Sequence, residues 1–496
     1  ISQASPDDCL FWKVFSREEK MGKKIVYFST LLTVFSLLLT MGSQNCFAQQ
    51  DKQEIPVYKL GEVIVTPSRV EETTAEVTSN VTIIGKQDIE NSSARDLGEL
   101  LAEESIGCIR KYPGTLTSFG MRGFRTETHG YDLESHVLVL LNGRRAGTGN
   151  VAKIMTKNIE RVEIIRGPAS VQYGSAAMGG VVNVITKQGK DKPTVFVEEI
   201  LGSFGHEEGS IGFSGKVKGF DFSGSFTRES MDDYDTARGE RYYNTGYDDK
   251  DNYSLNLGYE FLPGNRIGVI YNRFDVDKVG NPSYLSQNDL DDYKEASNES
   301  IDLIYDAQIK KEPYLWNWKI RYFDGEDEDI WHDPTGSNPD GYDNSIPSKQ
   351  RTDQKGIQAQ ASLNKEDFLI VAGFDWVNYE IDATWSPKKS EYDNPSGFLL
   401  GKTKLMDKKF ILSGGLRYDK YEVEIKSGEG GTESDHHLTP RIGLAYFLKD
   451  NLKLRLQFGE AFKMPSAKQL AYDYTVWGTH YVGNPDLNPE KSRTYE

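Results

Sequence analysis

The chain has 496 residues and a net charge of −17, with 58 Lys and Arg against 75 Asp and Glu. That acidic balance excludes a nucleic-acid binder, whose affinity rests on Lys and Arg neutralising phosphates. Of three cysteines, only Cys108 lies beyond the leader identified below, so neither an intramolecular disulfide nor a cysteine-based metal centre is expected.

Residues Ile1 to Lys20 precede a candidate initiator, Met21, and are polar with mixed charge. They read as a non-coding upstream extension, outside the fold. Lys23-Lys24 then lead into the uncharged apolar run Ile25 to Met41, and Cys46-Phe47-Ala48 offers a small-residue cleavage site. Residues 21–48 thus have the pattern of a secretory signal peptide; the run is short for a spanning helix. The segment 49–71 is polar but encloses Glu62-Val63-Ile64-Val65-Thr66-Pro67, a β-prone run ended by proline. Such a run can add as a strand to the sheet edge of a partner.

Residues 72–189 read as an α+β domain. Val81 to Ile84 predicts a strand, Lys86 to Ile89 a turn, and Ala94 to Leu101 an amphipathic helical turn or two. Thr117 to Phe124 and Val137 to Asn142 follow, the latter a strand that turns at Gly143-Arg144-Arg145. The most informative stretch is Ile159 to Lys187. Two apolar alternating segments, Val162 to Ile165 and Val181 to Ile185, flank a Gly-rich connection entered through Arg166-Gly167-Pro168, which predicts strand, tight connection, strand.

From Pro193 onward the pattern changes to strict alternation, as in Phe220 to Phe226, Tyr253 to Tyr259 and Leu452 to Phe458. A period of two sets one face against an apolar medium and the other against a polar one. Short turns fall at 218–219, 262–265, 310–313, 364–367, 406–409 and 448–451. Between them lie long polar stretches near 231–250, 277–298, 325–353, 383–397 and 425–437. Soluble sandwiches also alternate, but they give no reason for every second connection to be long, whereas transmembrane barrels do. Roughly thirteen strands are expected by this reading. No Gly-x-Ser-x-Gly, His-Glu-x-x-His or P-loop motif occurs, so an enzyme is not expected.

The wording of four elements carries a resemblance. Residues 160–187, Met121-Arg122-Gly123-Phe124, Val137 to Arg144 and Gly483 to Ser492 resemble, in order, elements of TonB-dependent outer-membrane receptors of the cobalamin and ferric-siderophore type. The run Glu62 to Pro67 resembles their TonB box. The resemblance implies a mainly β fold: a transmembrane antiparallel β-barrel, 22-stranded in the family and C-terminally incomplete here, over 190–496. The α+β domain would be the plug inside its lumen. The 27 Tyr and 23 Phe suit the aromatic girdles of such a barrel.

Function is then expected to be active uptake of a scarce metal chelate across a Gram-negative outer membrane. Ligand would bind extracellular loops and plug apex, and TonB, energised from the inner membrane, would displace the plug of a monomeric receptor. Arg122 and Arg166 are candidate plug-to-barrel latch residues, with Glu460 and Glu496 as partners, because arginine pairs planar carboxylates in confined places. No cofactor is required, but calcium is a candidate for the acidic clusters Asp232, Asp233 and Asp235, Asp248, Asp249 and Asp251, and Asp289, Asp291 and Asp292. Haem is an alternative ligand, or the protein binds without transporting. His480 lies between Phe462-Lys463-Met464-Pro465 and Asn484-Pro485-Asp486-Leu487, where haem receptors carry an axial histidine between similar elements.

Overall fold

The computed structural model describes residues 63–64, 67–127, 129, 131–339, 341, 343–427, 431–449, 452–476 and 478–496. The upstream segment, the leader and most of 49–66 lie outside these. Among the described residues no helix is long and apolar enough to cross a membrane, which says nothing of a barrel.

The N-terminal domain is built on a five-stranded sheet. Its order is Asn80–Ile84, Ile159–Arg166, Gly180–Thr186, Val137–Leu141 and Arg144–Arg145. The two segments of the informative stretch pair antiparallel, with Val182 opposite Ile164. Their connection is less tight than expected, because it carries a short helix, Ser170–Tyr173. Val137–Leu141 is buried throughout, which is why it reads as a continuous apolar run rather than an alternating one. Val137, Val139 and Leu141 face one core with Leu97, Leu100, Leu101 and Phe119. Leu138 and Leu140 face the other, with Ile165, Ala169, Tyr173 and Val181. The helix Leu97–Glu103 begins at Asp96, whose carboxylate accepts the Glu99 backbone N–H at 2.9 Å, the cap a free first turn requires.

Around this domain runs a fourteen-stranded antiparallel sheet, from Thr194–Leu201 to Glu490–Tyr495. Consecutive long strands are neighbours throughout. Fourteen replaces the thirteen expected, since Glu490–Tyr495 has no apolar alternation and is a strand only through its pairing with Leu452–Lys463. The six short turns fall where expected. The long connections are shorter than expected: the strands continue to Gly280, Asp333, Ala383 and Ile425 and resume at Tyr293, Asn344, Lys389 and Gly431. Polar side chains sustain these extensions. Arg351 meets Glu326 at 2.8 Å and Lys349 meets Glu328 at 2.6 Å across Tyr314–Asp333 and Asn344–Lys365. Among the described residues the two outermost strands do not pair with each other, so the sheet is open at both edges.

Phe410–Ile425 shows what the alternation does. Leu416 and Tyr418 point outward, half exposed, while Arg417 and Asp419 are buried against the inner domain. An apolar outer face and a polar inner face are what a lipid-embedded barrel wall needs. The inner face is where the domain is seated. Arg144 forms two bonds to Asp302, 2.8 and 3.0 Å, with the side chains only 1% and 3% exposed.

Removing one partner of a buried pair leaves an uncompensated charge. Arg144→Ala leaves Asp302 with Arg321, 3.5 Å away. Because Arg321 still answers that carboxylate, we expect a cost of about 1.5–3 kcal/mol of docking, read as the urea midpoint at which the inner domain becomes protease-sensitive. Arg144→Met with Asp302→Leu and Arg321→Met together is expected to be near neutral, since the first two alone would leave Arg321 without its carboxylate. A single-variant loss under about 1 kcal/mol, the range of an exposed ion pair, would show that this pair does not seat the domain.

Candidate functional site: the apical cleft and the plug–barrel seam

On the side of the long connections, the inner domain and the wall together line a cleft open to solvent. The domain contributes Tyr131 and the 3-10 turn Asp132–Glu134. The wall contributes Tyr379, Trp385, Tyr392 and Lys468. The Lys468 ammonium lies 4.8 Å from the Tyr131 ring, 5.5 Å from Trp385 and 5.5 Å from Tyr472, a cation among aromatic faces. Asp132 is held from both sides: Arg145 of the domain donates at 3.2 Å and the Tyr379 hydroxyl of the wall at 3.0 Å. Burial pushes the Glu134 carboxyl up, Lys468 opposing and Glu127 adding to the rise. Burial likewise raises the Tyr131 phenol, helped by Asp329. Large rings and a cation suit a ligand that offers both ring faces and oxygen acceptors.

Three further clusters line the seam. Lys153 of the domain, fully buried, donates to Asp327 at 2.8 Å and Asp329 at 3.0 Å, and Lys294 of the wall shares Asp329. Arg69 donates to both oxygens of Asp375, 2.7 and 3.0 Å, and to the Gln172 carbonyl at 3.2 Å. Its guanidinium stacks 4.4 Å from the Phe398 ring, and Arg417 shares Asp375 at 2.8 Å. Glu72 and Glu76 meet Lys402, and Glu76 also meets Lys404. Burial would raise the Glu76 carboxyl, but the two lysines hold it below its ordinary value.

The residues singled out from sequence fall as follows. Val63–Ile64 pairs antiparallel with Glu72–Thr73. Pro67 is buried, and its carbonyl accepts from Gln172 Nε2 at 3.0 Å. Glu62, Val65 and Thr66 lie outside the described residues. Of the latch candidates, Arg122 is ion-paired to Glu496. Glu460 is bonded instead to Arg493, a neighbour on the sheet, at 2.7 Å. Arg166 contacts neither carboxylate among the described residues; its proximity lowers the Arg122 pKa, though burial does more. Gly167 explains the Arg-Gly-Pro wording: its φ is +102°, and a Cβ there would sit 2.8 Å from both Arg122 Nη1 and Glu496 Oε1. Only glycine fits both demands.

The six aspartates chosen for calcium are not brought together. Asp248, Asp249 and Asp251 lie in the strand Tyr247–Leu262 rather than in a loop. Asp251 is doubly bonded to Arg228, Asp233 caps Thr245 and Gly246, and Asp235 pairs with Arg241. Asp289, Asp291 and Asp292 do converge. His480 sits on an exposed hairpin with Nε2 bonded to Asp473 at 2.8 Å, so the nitrogen a haem iron needs is engaged. Sequence reading passed over Arg69, Arg145, Lys153 and Lys468. A signal existed for their partners: Asp302 and Asp375 are single charges at inward positions between apolar neighbours, Ile301-Asp302-Leu303 and Phe374-Asp375-Trp376.

Two family models match this chain: the TonB-dependent receptor plug domain over residues 73–181 and the TonB-dependent receptor-like β-barrel over 201–496. Relatives include the vitamin B12 transporter BtuB of Photobacterium profundum, 26% identical over 94% of this chain and 70% of its own length. BtuB of Vibrio vulnificus is also 26% identical, over 88% and 66%. The chain thus spans about two thirds of the length of these relatives. Among solved structures, the FrpB iron transporter from Neisseria meningitidis superposes with a TM-score of 0.68 at 16% identity, covering 85% of this chain and 70% of that one. The siderophore receptor PiuA from Acinetobacter baumannii superposes with a TM-score of 0.65 at 14% identity, covering 85% and 70%. These two likenesses bear on the fold alone. The barrel model by itself matches more than half of the sequence, and the chain therefore belongs to the TonB-dependent receptors, a family of outer-membrane receptors and transporters and not of enzymes.

Proposed function

We propose that the protein takes up a scarce metal chelate, a ferric siderophore or cobalamin, binding it from outside in the apical cleft. The observation that carries this reading is that the cleft has two owners: Tyr131, Asp132 and Glu134 come from the plug, Tyr379, Trp385 and Lys468 from the barrel. Displacing the plug dismantles such a site, so release is coupled to opening. A barrel obstructed by a folded domain passes no solute until that domain moves. The work is supplied by TonB, which pairs with the β-prone run Glu62 to Pro67 by strand addition. Arg69, two residues beyond that run, is the first plug side chain it would pull from the wall. Relatives named as vitamin B12 transporters support the ligand class. The Arg122–Glu496 pair serves as a plug-to-barrel latch in the same reading.

We further propose calcium at Asp289, Asp291 and Asp292, in the connection between Asn265–Gly280 and Tyr293–Lys311. The residues fit: Asp291 Oδ1 and Asp292 Oδ1 are buried without a hydrogen-bond partner, and hard cations take such oxygens. When bound, the ion would supply the charge these carboxylates lack.

Expressed in a receptor-deficient outer membrane, the protein is expected to bind one labelled class, cobalamin or a ferric siderophore, saturably. Trp385→Ala should weaken that binding about tenfold or more, as loss of an aromatic anchor does. Ile64→Pro removes a backbone donor from the added strand; it should abolish uptake and leave binding intact. Saturable binding of neither class by an inserted barrel would overturn the ligand assignment, and uptake surviving Ile64→Pro would overturn the role of the run.

A pH test addresses calcium. Burial, with Asp289 and Asp333 adding, pushes Asp292 from 3.8 up to about 8. A folded value above the unfolded one means that the folded loop binds the proton more tightly. Its contribution to stability is full below about 4 and lost as pH rises through about 8. Protection factors of residues 281–292 in chelator, corrected for the intrinsic pH dependence of exchange, should therefore rise as pH falls from 8 to 5. Calcium should flatten that dependence, and Asp292→Asn should remove it. A calcium-insensitive profile would exclude the site.

A further inference from the structure

Away from the cleft and the Asp-rich loop, one cluster is unused by anything above. Strand Glu207–Val217 pairs with Phe220–Met231 so that Glu208 stands directly opposite Glu229. Both carboxylates are buried, 1% and 0% exposed. Like charges directly opposite on a sheet repel, and at this depth water does not screen them. Lysines answer half of the problem. Lys157 of the plug lies 3.1 Å from Glu208 Oε1, where Ser210 also donates. Lys250 pairs with Glu229 Oε1, which the Tyr247 hydroxyl also reaches. The other oxygen of each, Glu208 Oε2 and Glu229 Oε2, is buried with no donor.

The turn Gly202 to His206 supplies the third group. It closes through Gly202 N–H to the His206 carbonyl at 2.8 Å, with Phe204 and Gly205 both in the left-handed region. Gly205 is required there twice over, since a Cβ would meet the Asp232 carboxylate at 2.3 Å. This geometry turns the His206 ring inward, 8% exposed, and its Nε2 has no partner. The His206, Glu208 and Glu229 ligand atoms lie within 4.8 Å of one another. Three unsatisfied atoms on three different segments therefore face one small volume.

We propose that His206, Glu208 and Glu229 bind a divalent first-row transition ion, with zinc as the reference case. One imidazole nitrogen and two carboxylate oxygens are a zinc-type donor set. Calcium would call for oxygens alone, and Cu(I) for sulfur. Ligands at about 2.1 Å from a tetrahedral ion stand about 3.4 Å apart, so rotation of these side chains by about an ångström closes the set. The charge balance is favourable: Glu198, which pairs with Lys157 at 2.6 Å, joins Glu208 and Glu229 against Lys157 and Lys250. One negative charge remains with the imidazole neutral. Bound there, the ion would pin the first hairpin to the next strand. Because Lys157 belongs to the plug, occupancy would also bear on how the plug is held.

The test uses the full chain, refolded in detergent, stripped with chelator and dialysed against zinc with excess calcium. One zinc per chain is expected to resist the calcium. His206→Ala, Glu208→Gln and Glu229→Gln should each lower affinity at least about tenfold, the scale on which zinc sites respond to lost support. Barrel insertion is checked by heat-modifiable mobility. Should a variant fail to insert, cobalt in the wild type decides: visible bands of nitrogen–oxygen coordination that zinc bleaches support the site. No stoichiometric zinc in the wild type overturns it, as does unchanged binding by an inserted His206→Ala, or a protonated His206 that bridges the two glutamates in the presence of zinc.

Discussion

The constraint on which this structure depends is that a charge on the inner barrel wall cannot be left alone. Asp302, Asp327, Asp329, Asp375 and Asp419 all point inward and are all buried. An isolated carboxylate in such surroundings costs several kcal/mol. Each is met by a cation; two of those cations come from the plug, Arg144 and Lys153, and a third, Arg69, from the segment that leads into it. The plug is therefore seated by matching charges at separate heights, with apolar contacts between them where Leu133, Met155 and Val171 each pack into a cluster of the wall. Its apolar cores stay internal to it on both faces of the five-stranded sheet. Two bodies with cores of their own, joined by charge pairs and a few separate apolar contacts, can part without either losing its core.

Paired buried charges contribute little net stability against apolar alternatives, but they are strict about register. Moving the plug along the wall by one pleat takes Arg144 from Asp302 to Ser300 or Ile304 and Arg69 from Asp375 to Gly373 or Val377. The seam thus favours a single docked position while keeping the gain over a hydrated, separated state modest, since water can solvate both members once it enters. A large apolar interface would behave oppositely, tolerant of sliding and costly to open. Glu208 and Glu229, directly opposed, are the place where this scheme is least complete, since two lysines leave two oxygens unmet.

Much of the fold was legible because lipid and plug impose simple periods. The alternation in Phe220 to Phe226 and Tyr253 to Tyr259 and the six short turns follow from a wall with one apolar face. The unbroken run Val137 to Leu141 follows from a strand buried on both. What was not legible has equally specific causes. Glu490–Tyr495 pairs through its backbone and has no apolar code to read. The strands outlast their apolar part because Arg351, Lys349, Glu326 and Glu328 continue the pairing with polar side chains. The candidate site was the least legible part. Pairs such as Arg69 with Asp375 are 306 residues apart, and nothing local to either names the other. Glu460 illustrates the converse: it was a candidate partner for a plug arginine, yet its strand neighbour Arg493 takes it.

The two ends of the plug are joined by a short path. Arg69, beside the strand-forming run, donates to the backbone carbonyl of Gln172, and the Gln172 side chain donates in turn to the Pro67 carbonyl. Three residues on, the Ser175 carbonyl accepts from Arg145. Arg145 also holds Asp132, which the barrel holds through Tyr379 in the apical cleft. The segment Ser170 to Ser175 is thus gripped near one end by the residue next to the run and at the other by the residue that positions the cleft. Contiguity alone is not coupling; that requires an element with two arrangements whose balance both ends bias. The connection from Gly167 to Gly179 meets the structural requirement. It lies between two rigid strands, Ile159–Arg166 and Gly180–Thr186, and it meets the wall through polar bonds and the apolar seat of Val171 rather than through the sheet, so it can change its contacts while the sheet behind it stays intact. On the uptake reading, a ligand that displaces Tyr379 from Asp132 and a pull that draws Arg69 from Asp375 act on the same six residues. By linkage, each must then alter the cost of the other.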